Sequence, residues 1–163
     1  MWEVKEAASA LVAATLHNLE VIQVNVCVQI EEIIEEEEEE KEEEGMDTTK
    51  ITLPILKTLW LQFLPGLKSI CSSSKVISCD SFQKILIEGC PKLKRLSLSL
   101  PLLNGQLSPP PSLKEITAKE EWWESLEWDS QDTKNVLQPF FRKILCVSKT
   151  SNVYMLIHAV KLF

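Results

Sequence analysis

A chain of 163 residues, 45% hydrophobic and 25% charged, carries enough apolar material for one modest core and is not the composition of a disordered polypeptide. Its formal charge of −7 is local: Glu31 to Glu44 holds 11 glutamates and one lysine, which leaves 16 basic against 13 acidic residues elsewhere. The acidity describes one insert and says little about the rest.

Five cysteines (Cys27, Cys71, Cys79, Cys90 and Cys146) form an odd set without a C-x-x-C pair, and the two histidines, His17 and His158, stand at opposite ends. Neither a disulfide framework nor a zinc site has that spacing, so free thiols in a reducing compartment are expected, with no metal and no cofactor. The start, Met-Trp-Glu-Val-Lys-Glu, lacks the basic residues and apolar run of a secretory signal. No stretch approaches the roughly 20 apolar residues that cross a bilayer. The expectation is a soluble protein of the cytoplasm, with the nucleus also open to it.

Residues 1–18 open the chain. Met1 to Leu16 is rich in helix formers, with apolar residues at Val4, Ala7, Ala8, Leu11 and Ala14. It reads as a helix over the first repeat or as the remnant of an upstream repeat.

A repeat follows over residues 19–128. Leu19, Ile22, Val24, Cys27, Ile30 and Ile33 stand at offsets of zero, three, five, eight, eleven and fourteen. The same ruler falls on Leu56, Leu59, Leu61, Leu64, Leu67 and Ile70, and again on Phe82, Ile85, Ile87, Cys90, Leu93 and Leu96. A fourth copy begins at Leu113, Ile116 and Ala118 and then loses phase. The spacing follows neither a strand's period of two nor a helix's period of 3.6 for long.

The starts lie 37, 26 and 31 residues apart. The middle interval suits a leucine-rich repeat, whose unit is about 20–29 residues. The other two are lengthened by inserts. Offsets three and five share one face of a short strand, offset eight turns inward as the chain leaves it, and eleven and fourteen return apolar groups from the far side. One unit cannot bury its own apolar face, so neighbours must stack. The predicted fold is an α/β repeat solenoid: a short, curved leucine-rich-repeat array of about four units with an irregular convex side.

The remaining motifs have ordinary readings. The insert at 35–47 is expected to be disordered, because it has charge and nothing to bury. Cys27 and Cys90 share offset eight and read as small buried residues in preference to a metal or redox pair. Cys71 and Cys79 flank a loop in which a regulatory thiol has no support. Ser72 to Ser74 has no nearby histidine and no G-x-S-x-G elbow, so no nucleophile is expected and the protein is read as a non-enzyme. Lys92, Lys94 and Arg95 are too short a basic run for nucleic acid. Pro109 to Pro111 reads as a stiff spacer, and Trp122, Trp123 and Trp128 as cover for the open end, with cap and tail over 129–163.

The segment GCPKLKRLSL (Gly89–Leu98), the apolar residue three positions after Cys27 and Cys90, the acidic stretch NLEVIQVNVCVQIEEIIEEEEEE (Asn18–Glu40) and WWESLEWDSQDTKNVLQPFF (Trp122–Phe141) together resemble one family. It is that of the plant coiled-coil, nucleotide-binding, leucine-rich-repeat disease-resistance proteins. The resemblance implies the protein-recognition end of an intracellular immune receptor. There the repeats contact pathogen effectors or guarded host proteins and help restrain the nucleotide-binding domain. No G-x-x-x-x-G-K-[ST] occurs here, so nucleotide-dependent activity does not carry over. The chain reads as a receptor fragment or truncated product. A repeat scaffold recruiting substrates to a ubiquitin ligase is the rival reading.

If offsets three and five face inward, offsets two, four and six face outward. Trp60 and Leu86 are then expected side by side and exposed on the concave face, with Thr58 and Lys84 on one flank and Gln62 and Glu88 on the other. That set is the expected protein-binding surface, with Trp60 as its anchor.

Overall fold

Every residue at the repeated apolar offsets, from Leu19 through Ala118, is buried. The computed structural model describes residues 11–12, 17–35, 50–71, 75–144 and 157–160. Four strands carry the first half of each repeat: β2 (Val21–Asn25), β5 (Thr58–Gln62), β7 (Lys84–Glu88) and β10 (Glu115–Ala118). They pair in parallel, with Ile22, Leu59, Ile85 and Ile116 in one row and Val24, Leu61, Ile87 and Ala118 in another. Those rows are offsets three and five. Stacking inward side chains in rows gives each unit apolar neighbours on both sides, and burying one such side chain contributes about 1.5–3 kcal/mol.

The inward turn at offset eight has a backbone cause. Val26, Phe63 and Gly89 all stand at offset seven, and all three have left-handed φ, of 51°, 53° and 66°. One left-handed residue swings the chain out of the strand direction, so that Cys27, Leu64 and Cys90 dive into the core behind it. Only the third repeat supplies the residue that adopts this conformation without strain.

Behind the main sheet run short parallel pairs. β1 (Leu11–Val12) lies beside β3 (Ile34–Glu35), and β4 (Lys50–Thr52) beside β6 (Val76–Ser78). Between these pairs and the main sheet sit Ile33, Ile34, Ile51, Leu53, Leu56, Ile70 and Ile77, all buried. Leu11 and Val12 are therefore strand where local propensity favours helix, because pairing with β3 overrides a weak intrinsic preference. The rest of Met1 to Leu16 lies outside the described residues, as does the acidic insert beyond Glu35.

The insert before the fourth unit is a hairpin, β8 (Leu102–Leu103) and β9 (Gln106–Leu107). Its turn residues Asn104 and Gly105 have φ of 53° and 79°, the double positive φ that Asn-Gly turns supply.

After β10 the chain enters α1 (Glu120–Glu124) and then α2 (Gln131–Leu137), whose first turn is capped by the Ser130 hydroxyl accepting from the Thr133 amide at 3.2 Å. A 3-10 turn at Gln138–Phe140 leads to β11 (Phe141–Lys143), a fifth parallel strand beside β10. Phe141 takes the offset-three place, but Lys143 at offset five is exposed and ion-paired with Glu120. The apolar rows stop there. The last described strand, β12 (Ile157–Val160), joins the sheet at its opposite edge and pairs antiparallel with β2, giving the order β11-β10-β7-β5-β2-β12.

Candidate functional site

The face of the sheet turned away from the core is made of three rows. Val21, Thr58, Lys84 and Glu115 form the first, Gln23, Trp60, Leu86 and Thr117 the second, and Asn25, Gln62 and Glu88 the third. All six residues expected at the surface patch lie together on this face, in adjacent positions of β5 and β7. Strand spacing of about 4.8 Å brings each side chain against its neighbour in the row.

That closeness alters the expected exposure. Trp60 and Leu86 are half-buried, not open, because Gln23 and Leu86 flank Trp60 on the two neighbouring strands. Thr58 is also half-buried, while Lys84 is exposed and held 3.6 Å from the Glu115 carboxylate. Gln62 donates through Nε2 to Glu88 Oε2 at 2.9 Å, a bond across the third row. Among the described residues, two buried polar atoms on this face have no partner: the Trp60 indole Nε1 and Asn25 Oδ1. An indole N–H shut from water without an acceptor carries a desolvation cost within the fold.

Among the described residues no cluster of His, Cys, Asp and Glu could hold a metal. The four described cysteines are free and buried. Cys27 and Cys90 belong to different units with Leu64 between them, so they are separate core fillers. Burial pushes the Cys90 thiol up to about 11, helped by the charge of Glu88 and opposed by a backbone bond from Leu64. Cys71 is likewise pushed up to about 11 by burial, with Ser97 opposing and Glu32 adding. Cys79 is raised by burial as well, and its Sγ lies 3.0 Å from the Leu56 carbonyl. Such thiols stay protonated and unreactive near neutrality. Cys146 lies outside the described residues.

The tryptophans after the fourth strand divide their work. Trp123 is fully buried and its indole Nε1 donates to Gln138 Oε1 at 3.0 Å. Trp122 is half-buried and donates to the Leu93 carbonyl at 2.9 Å. It also lines an open cleft of about 540 Å³ between the Gly89–Pro91 turn and α1, with Lys94 and Lys119 in the lining. Sequence reasoning did not find this cleft, since it arises where one unit's turn meets the end helix and has no spacing of its own.

A known family matches residues 3–101, described as plant disease resistance protein RPS2-like, leucine-rich repeats. The chain belongs to that family. It is 28% identical over 130 residues to disease resistance protein At4g27190 of Arabidopsis thaliana, an alignment that covers 80% of this chain and 11% of the relative. The chain thus spans a small part of that protein's length. No solved structure matches. The RPS2-like match takes in β2, β5 and β7 and assigns them to a leucine-rich-repeat region of a plant resistance protein. No described helix is long and apolar enough to cross a membrane.

Proposed function

We propose that this leucine-rich-repeat region is a protein-recognition surface of a plant intracellular immune receptor, folded as a short curved solenoid whose concave side is the outward sheet face. Its role is binding, not catalysis, in the cytoplasm or nucleus. The partner is a pathogen effector or guarded host protein, or the nucleotide-binding domain of the receptor itself. The observation that carries the reading is the Trp60–Leu86 pair in register on β5 and β7. Aromatic anchors flanked by apolar and hydrogen-bonding neighbours are where binding energy concentrates. Thr58, Lys84, Gln62 and Glu88 supply the polar surround.

The test is a pull-down of host and pathogen proteins on the intact chain, followed by affinity measurements on Trp60→Ala and Trp60→Phe. Trp60→Ala should weaken binding by about 2 kcal/mol or more, roughly 30-fold in Kd, with the melting temperature little changed. Trp60→Phe keeps the ring and loses the N–H, so an intermediate loss is expected. Equal affinity for all three chains rules the patch out.

A further inference from the structure

The β2 edge of the sheet is closed in a way unlike any other pairing in it. The strands from β11 to β2 are all parallel, as stacked repeats require, while β12 alone runs antiparallel. On the other side of the core, β1 beside β3 keeps the parallel sense. That pairing is 23 residues back in the chain (Leu11 opposite Ile34), one repeat length, so Leu11 and Val12 hold the outer position of a preceding unit. The inner position of that same unit, next to β2, is where β12 lies.

The backbone groups involved follow from alternation. The Val26 amide donates to the Gln62 carbonyl at 2.8 Å, and the Glu20 carbonyl accepts from the Thr58 amide at 3.1 Å. Even-numbered backbone groups along β2 therefore face β5, and those of Val21, Gln23 and Asn25 face the opposite way. Gln23 lies opposite His158 and Val21 opposite Val160, so these are the pairs that exchange hydrogen bonds, while the backbone groups of Ile157 and Ala159 face outward.

We propose that the β2 edge is a strand-acceptor site, and that the chain's own Ile157–Val160 occupies it as a cap. A parallel strand from a preceding repeat would need the same groups of Val21, Gln23 and Asn25, so cap and preceding unit exclude one another. An uncapped edge offers a row of free amides and carbonyls to any extended chain, which is the hazard such a cap removes. The proposal is independent of the Trp60 patch, which lies on the face and not on the edge.

The experiment is residue-resolved amide exchange on the full-length chain and two proline variants. His158→Pro removes an amide that points at β2, whereas Ala159→Pro removes one that points away and leaves the ladder intact. In the unaltered chain Val21 and Gln23 should be protected to the same order as Ile22 and Val24. His158→Pro should speed exchange at Val21 and Gln23 by about tenfold or more and leave Ile22 and Val24 unchanged; Ala159→Pro should leave all four slow. Equal effects of the two prolines, a rise at all four amides together, or fast exchange at Val21 and Gln23 in the unaltered chain would overturn the cap. Protection that falls on dilution would show a second copy on the edge and overturn the assignment within one chain.

Discussion

Trp123 stacks on Phe141, ring centroids 4.6 Å apart and planes within 18° of parallel. Phe141 stands in the offset-three row of the fifth strand and is half-buried, while the indole beneath it is fully buried. Trp128 meets the same indole edge-on at 4.8 Å. The end of the array is thus sealed by an aromatic cluster, with Trp123 at its centre. Trp123→Ala should destabilise the chain by about 3–5 kcal/mol in urea unfolding, and Trp122→Ala by clearly less. Equal losses would assign the sealing to the wrong tryptophan.

The turn at offset seven gives a prediction of opposite signs at equivalent positions. An added Cβ on Gly89 would lie 2.9 Å from Phe63 Cδ1 and 3.2 Å from Phe63 Cα, at φ of 66°. Gly89→Ala should therefore cost about 1–3 kcal/mol, from backbone strain and close contact together. Val26 holds the equivalent place with a β-branched side chain, which tolerates φ of 51° poorly. Val26→Gly should be neutral or stabilising, although glycine in place of valine ordinarily destabilises. A loss above about 1 kcal/mol for Val26→Gly would show that its side-chain packing outweighs the strain.

The rows of the sheet were legible because a strand's alternation and the need to stack leave few choices for Leu19, Ile22, Val24 and their equivalents. The same logic located Trp60 beside Leu86. It overstated their exposure, because the pattern says which way a side chain points and not how closely the next strand crowds it. Three features escaped it for distinct reasons. The hairpin at Leu102–Leu107 was signalled by Asn104-Gly105, a local cue masked by the neighbouring prolines. β11 carries one apolar inward residue, Phe141, and then Lys143, too little to extend the ruler. β12 reverses direction, and pairing between segments more than 130 residues apart leaves no periodic trace in the sequence.

The raised thiols make stability fall on the alkaline side. Cys71 and Cys90 are pushed to about 11 from an ordinary 9.0. Below pH 9 both folded and unfolded chains keep these protons, so the full stability is present. Between about 9 and 11 the unfolded chain loses them while the folded chain holds them, and stability declines with rising pH. The urea midpoint of the native chain should drop across that window more steeply than that of a Cys71→Ala, Cys90→Ala double variant. Parallel curves for the two chains would mean that other groups carry the alkaline loss. Near neutrality, a disulfide reagent should label neither thiol until the chain is unfolded.

The final prediction concerns Leu61 and Ile87, which face one another in the offset-five row of the two central strands. Both are almost wholly buried, at 0% and 1% exposure, with apolar neighbours in the rows above and below. Truncating either leaves a cavity between units that cannot close without shifting a strand out of register. Leu61→Ala and Ile87→Ala should each cost about 2–5 kcal/mol. A domain of this size has about 5–15 kcal/mol in all, so either variant should melt well below the native chain. Because the side chains touch one cavity, the double variant should lose less than the sum, with a coupling of about 0.5–3 kcal/mol. Trp60→Ala, one residue away on the outward face, serves as the contrast and should unfold close to the native midpoint. A near-neutral result at both inward positions, or a Trp60→Ala loss as large as theirs, would show that the strands present the opposite face to the core.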